Sequence, residues 1–503
     1  MEDLAWRWMI AMLAVASGVV VALLDIRQLG LLVGAIGAVA LVILVVRLPV
    51  LGLGLALVAA PLAPLEKELL SIPIDSGQAL LGLTVVCFMT RELMRKHLLA
   101  TLRNLKFDMA TLMLLGGFIA VAVVSFFPAA DFNAWVRECL KWAEVAGVYL
   151  IVANTRNPGA RVVILGAIII TGLIQGGLGL YQFAFRGGAP DHFAISGRFF
   201  RAFGTFQQPN PFGGFMGLLW PVAAGVAMTI LAHDAPRGRQ VSGDATPTPA
   251  PWHRWLGWCF ALTAVVLLAA LVASWSRGAW LAAGIAVTGM AIVASRKPGR
   301  ALVAIGVVAV ILVAFNLMDY LPTSIRDRLT GFTDQFVGGE IDVRYMDLNG
   351  TTFATIERVA HWQAAVGMIT DHPWLGVGFG NYEIAYPLYR TLYWVNGLGH
   401  AHNYYLNIWA ETGVLGLLSY LLFWIYVIIR TARLAIGSGR TSGRNTNWLA
   451  LGILGAWLAL AAHNIVDDLY VANMFLFVGV LLGLLEHGFT QKTSSRVSRL
   501  NPI

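Results

Sequence analysis

The chain has 503 residues, 58% hydrophobic and 12% charged, with a mean hydropathy of +0.72; a soluble domain carries about 25% charged residues, so an ordinary soluble enzyme is excluded. The net charge of +8 would point to nucleic acid in a soluble protein. In a chain this apolar it must first be divided between the two faces of a bilayer, and no nucleic-acid partner is expected. Apolar runs close to the ~20 residues that cross a bilayer occur at 8–24, 29–46, 49–64, 74–90, 109–127, 134–153, 162–185, 211–231, 255–274, 278–295, 301–318, 408–430, 448–463 and 471–487. They predict an all-α polytopic membrane protein with about 12, and up to 14, transmembrane helices. The first run lacks a clear small-residue cleavage site and is read as a retained span. The connectors 91–108, 154–161, 232–256, 296–300 and 430–447 and the tail from 488 together hold 20 of the 35 Lys and Arg. By the positive-inside rule these are cytoplasmic, as are both termini.

The chain divides into N-terminal helices (1–185), helices with Arg-bearing outward loops (186–318), one large outward loop (319–407), C-terminal helices (408–487) and a short cytoplasmic tail (488–503). Ser242 to Pro251 reads as a flexible cytoplasmic linker. Cys87, Cys139 and Cys259 lie far apart in apolar stretches and offer neither a disulfide framework nor a metal knuckle. No tandem or inverted repeat is visible, which argues against transporters built from repeats.

The outward segments carry the chemistry-bearing residues. SGRFFRAFGTFQQPNPFGG places Arg198 and Arg201 just before a helix starting near Pro211, with Pro209 or Asn210 at its cap. Guanidiniums beside a helix start suit a phosphate or diphosphate; the alternative is lipid head-group binding. SWSRGAW sets Arg277 at the outer end of two adjoining spans, where a charge is a functional hypothesis by default and snorkelling the alternative. IERVAHWQAAVGMIT reads as an amphipathic surface helix carrying Arg358 and His361 and ending at Asp371-His372-Pro373. The GVGFGN that follows reads as loop flexibility.

In GHAHNYYLNIWAETGVLGLLSYL, His400 and His402 flank an alanine, Asn403 follows, and Gly413, Gly416 and Ser419 form a small-residue groove for a neighbouring helix. The His402 imidazole suits a hydroxyl proton. An HxH pair could bind zinc, but no third ligand of suitable spacing is visible, so no metal is expected. Glu411 lies two to three turns inward as a possible support; Asp467 and Asp468 read as structural.

His402-Asn403, nine residues, Gly413, two residues, Gly416 resembles the signature of the bacterial O-antigen ligases, within the superfamily of O-antigen ligases, polymerases and protein O-oligosaccharyltransferases. RAFGTFQQPNPFG at 201–213, SRGAWLA at 276–282 and DHPWLGVGFGN at 371–381 are similar to family segments in the expected order. The resemblance implies a glycosyltransferase of GT-C-like architecture in the bacterial inner membrane. Its implied reaction passes a polysaccharide from undecaprenyl diphosphate to a hydroxyl of the lipid A-core oligosaccharide, at the periplasmic face, without nucleotide sugar, cofactor or metal. His402 would be catalytic, Arg201, Arg277, Arg198 and Arg358 would hold the donor diphosphate, and His400, Asn403, Asn210 and Glu411 would support them.

Three alternatives remain open. A Wzy-type polymerase is expected to show an arginine, fifteen intervening residues and then a glycine in two outward loops. Arg198 with Gly214 and Arg201 with Gly217 satisfy this once, but Arg326, Arg328, Arg344, Arg358 and Arg390 do not. A protein O-oligosaccharyltransferase would extend further past the last span. A lipid-linked oligosaccharide flippase or other transporter would use charges near mid-membrane, for which Arg137, Glu138, Lys141 and Glu144 are candidates; their i, i+3 spacing instead predicts pairing within one helix.

Overall fold

A computed structural model describes residues 37, 39–70, 75–94, 105–155, 157–195, 198–233, 251–295, 297–300, 302–303, 353–391, 393–437 and 446–497. The apolar run 8–24, all but two residues of 301–318, and residues 319–352 of the large loop, with Arg326, Arg328 and Arg344, fall outside these residues. So do the linker from Ser242 and the last residues of the tail.

The described chain is almost wholly helical: α1 (Pro49–Ala59), α2 (Ala63–Leu70), α3 (Ser76–Met94), α4 (Met109–Val124), α5 (Phe132–Ala153), α6 (Pro158–Phe185), α7 (Pro209–His233), α8 (Pro251–Ala273), α9 (Arg277–Ala294), α10 (Phe353–Asp371), α11 (Tyr382–Tyr389), α12 (Tyr404–Ile436), α13 (Trp448–His463) and α14 (Met474–Val497). Six stretches are long and apolar enough to cross a membrane, and three shorter apolar helices, Met109–Val124, Trp448–His463 and Met474–His487, accompany them among the described residues. The protein is a multi-pass α-helical membrane protein. One strand pair interrupts the helices, a hairpin of β1 (Ala194–Ile195) and β2 (Phe199–Phe200) after α6.

Helix starts follow cap chemistry. Asp108, Asp131, Asn157, Ser276, Asn403 and Asn447 each turn a side-chain oxygen onto the first-turn amides of α4, α5, α6, α9, α12 and α13. The run at 49–64 bends because Pro61 and Pro64 interrupt its hydrogen-bond ladder, leaving a 3-10 turn at Ala60–Leu62 between α1 and α2.

Helix α7 packs against α8 and α13, α13 against α9 and α12, α12 against α4, and α5 against α14. In a bilayer, close van der Waals approach takes over the role that hydrophobicity plays in water. At the α7–α13 crossing a Cβ on Gly225 would lie 2.5 Å from the Trp448 carbonyl oxygen, and one on Gly452 would lie 2.4 Å from that of Pro221. The sequence places a helix in the small-residue groove of α12; the structure places a loop there instead. Gly413 leaves the helical conformation (φ 66°, ψ −171°), and the turn at Trp374–Leu375 presses into the break. Val414 N–H donates to the Pro373 carbonyl, Val377 N–H to Ala410 and Gly378 N–H to Glu411, each at 2.9 Å.

Candidate functional site

The Arg201 turn is set by buried glutamines of α6. Gln182 Oε1 accepts from Phe203 N–H (3.1 Å) and Gly204 N–H (2.7 Å), and Gln175 Oε1 accepts from Thr205 N–H (3.1 Å). Sequence inspection passes over both, because a polar residue inside an apolar helix acquires meaning only with its partner. Ala202 N–H donates to the Ala273 carbonyl (2.9 Å). The Arg201 guanidinium reaches Ser274 O through Nε (3.2 Å) and Asn210 Oδ1 through Nη2 (3.1 Å). Asn210 lies inside the first turn of α7, which begins at Pro209 rather than near Pro211. Its amide is therefore an arginine holder rather than a cap. The two arginine-bearing turns are thus joined, with half-buried Arg277 opening α9. Arg198 is exposed at the hairpin turn and lies over the neighbouring Phe199 ring, 5.2 Å from its centroid, so among the four arginines it is the one the fold leaves apart.

The second half of the site is a cluster of imidazoles at the start of α12, immediately after the large loop. Asn403 caps that helix through Tyr405 N–H (3.0 Å) and Leu406 N–H (3.1 Å). His402 just before it is held at φ 50°, and its N–H donates to His400 Nδ1 at 3.0 Å. The His402 ring stands edge-on to His400 (centroids 4.5 Å) and to His361 of α10 (5.5 Å). Tyr382 fixes His361: the phenol donates to the His361 carbonyl (3.0 Å), so His361 Nδ1–H donates back to that oxygen (3.1 Å).

Asp467, which reads as structural in the sequence, joins this cluster from the α13–α14 connector. Its Oδ1 lies 3.7 Å from His402 Nδ1, an electrostatic contact too long for a hydrogen bond, and accepts from Asp468 N–H (3.0 Å). Burial raises its carboxyl, but the His402, His400 and His463 imidazoles outweigh that and hold it well below the usual carboxylate range. Burial pushes His402 below its ordinary value, with Asp467 pulling the other way, and drives His361 down to about 3. Half-buried Arg358 faces the same cluster, within electrostatic reach of His400, His402 and His463. Among the described residues, His402 Nδ1 and Nε2, His361 Nε2, Arg358 Nε and His463 Nδ1 are buried without a protein partner.

His400, His402 and Asp467 offer ligand atoms within 4.8 Å of one another, so the fold supplies the third ligand that the HxH spacing lacks. The donor set fits a metal poorly. His400 Nδ1 already accepts a backbone N–H; a metal on its other nitrogen would demand an imidazolate, and one on Nδ1 would break that bond.

The GVGFGN glycines are not a flexible loop. Gly376, Gly378 and Gly380 all have positive φ, and Cβ atoms there would lie 2.3 Å from Glu411 C, 2.5 Å from Ala129 Cα and 2.6 Å from Ala134 O. They thread between α12 and the α4–α5 turn, where Asn381 Oδ1 accepts from Asp131 N–H (2.7 Å). Glu411 is part of this brace, its Oε1 accepting from Tyr382 N–H (3.0 Å). On α5, Lys141 pairs with Glu138 at 2.5 Å, as the i, i+3 spacing predicts, and lies within electrostatic reach of Glu411 and Asp468.

Backbone strain gathers around the same end of the bundle. Gln207, Trp275, Leu398, His402, Ala472 and Asn473 all have φ between 49° and 59°. Such conformations cost of order 1–3 kcal/mol each and cluster at functional sites.

Fold and site together define a helical membrane protein with two joined arginine turns and a strained, buried imidazole cluster. The family model described as O-antigen ligase matches residues 262–421, from α8 to the first half of α12. No curated protein matches the sequence.

Proposed function

We propose that the protein is an O-antigen ligase of the bacterial inner membrane. It transfers polysaccharide from undecaprenyl diphosphate to a hydroxyl of lipid A-core oligosaccharide, from a site on the periplasmic side of about 12 spans, without metal or cofactor. The observation that carries this reading is the set of buried polar atoms without protein partners around His402, next to the joined Arg201 and Arg277 turns. Buried polar groups are ordinarily paired, and a diphosphate and a sugar hydroxyl supply the complementary acceptors and donor.

The acceptor hydroxyl gives its proton to neutral His402 while its oxygen bonds to the anomeric carbon. The bond from that carbon to the phosphate oxygen breaks, and the diphosphate leaves with the electron pair. Arg201 and Arg277 stabilise its charge, supported by Arg358 and, more remotely, Arg198. Asp467 offsets the imidazolium. His400 orients the His402 backbone, Asn403 holds the helix start beneath it, Asn210 holds Arg201, and Glu411 braces the loop.

Purified protein in liposomes with donor and lipid A-core acceptor should form a new glycolipid, and should still do so after extensive dialysis against EDTA. A longer donor-linked glycan would instead identify the Wzy-type polymerase, and relocation without a new bond a flippase. Activity lost to EDTA and restored by Mg²⁺ or Mn²⁺ would overturn the metal-free reading.

A further inference from the structure

His463, at the last residue of α13, belongs to none of the outward motifs. It is 1% exposed, and its Nδ1 has no protein partner. The ring is wedged between two helix starts. A Cβ on Gly214 of α7 would lie 3.1 Å from Nδ1, and one on Gly278 of α9 would lie 3.0 Å from Nε2. Gly278 follows Arg277 in the first turn of α9, whose leading amides form an anion-attracting end. Gly214 follows Asn210, which holds Arg201. Arg358 and Asp467 both act on the imidazole electrostatically. His463 therefore bridges the arginine turns and the His402 cluster.

We propose that His463 is a donor-binding residue, its Nδ1–H, buried without a protein partner, donating to a diphosphate oxygen seated between the starts of α7 and α9, beside Arg201 and Arg277. This rests on the reading of the arginine turns as a diphosphate site. A purely packing role makes a different demand: it needs a flat ring between two glycines and no nitrogen.

The test uses full-length protein and a labelled undecaprenyl diphosphate sugar. His463→Phe keeps a ring in the wedge and removes both nitrogens, whereas His463→Gln keeps a donor. His463→Phe is expected to weaken donor binding roughly 10-fold or more, the scale of one hydrogen bond to a charged group, with the melting temperature kept and kcat changed less than KM. His463→Gln should recover most of the binding. Donor binding by a folded His463→Phe protein equal to that of the unaltered protein overturns the proposal. Should the variants fail to fold, ¹⁵N NMR of histidine-labelled unaltered protein decides: donor must shift a ring-nitrogen signal, and no shift overturns it. If the unaltered protein binds no donor at all, the ligase reading has failed instead.

Discussion

At the residue scale, His402 combines a strained backbone, two unpartnered ring nitrogens and a carboxylate 3.7 Å away. His402→Ala should lower transfer at least ~10²-fold with expression intact, measured as glycolipid formed in liposomes. With His402 as the proposed base, burial should carry the acid limb of kcat/KM to lower pH than an ordinary imidazole near 6.5 would give. Arg201 uses two edges of its guanidinium, toward Ser274 and Asn210. Arg201→Lys keeps the charge and loses that fork, so donor binding should still drop about 10-fold. His361 adds a pH effect on stability. An unfolded chain takes up a proton there below about pH 6.5, while the folded site resists until about 3. Stability from this group is present above pH 6.5 and lost as pH falls toward 3. Thermal unfolding from pH 7 to pH 5 should show a falling midpoint, and His361→Phe should flatten the slope. The His402-Asn403 start of α12 is readable from the sequence because a cap acts on its own next residues. Asp467 and His463 are not, since a carboxylate or imidazole among apolar residues looks structural until chain far away in sequence packs against it.

At the element scale, the break at Gly413 decides where the large loop sits. Gly413 occupies a region essentially reserved for glycine, and a Cβ there would lie 2.1 Å from the Trp374 carbonyl. Gly413→Ala should cost more than about 2 kcal/mol and release the 373–378 segment from α12, seen as faster amide exchange at Val377 and Gly378. In sequence, GxxG on an apolar helix looks the same whether it receives a helix or a loop, and GVGFGN looks the same whether its glycines are mobile or pinned by close backbone. The helices themselves are plain from apolar length and cap residues. The contact that uses a glycine depends on chain far away.

At the scale of the whole molecule, a second polar knot ties the helices at the end opposite the site. Arg430 of α12 reaches Glu486 of α14 at 2.9 Å and Asp108 at 3.5 Å; Tyr149 of α5 donates to Glu486 (2.9 Å), and Tyr426 donates to Asp108 (2.7 Å). Breaking a buried ion pair from one side strands the other charge. Arg430→Met should cost about 3–5 kcal/mol in detergent unfolding, with turnover per folded molecule unchanged, and Arg430→Met with Glu486→Leu should regain much of the loss. The α13–α14 connector sets one more condition, on the order of events during synthesis. Both arginine turns and the His400–His402 pair leave the ribosome before residue 448, but His463 and Asp467 lie in the hairpin that follows. A nascent chain can therefore form its earlier helices while the proposed site is still unfinished. On the proposed reading the protein becomes competent only once its final hairpin has packed into the bundle, so a chain stalled late in translation should be inert toward lipid-linked sugars.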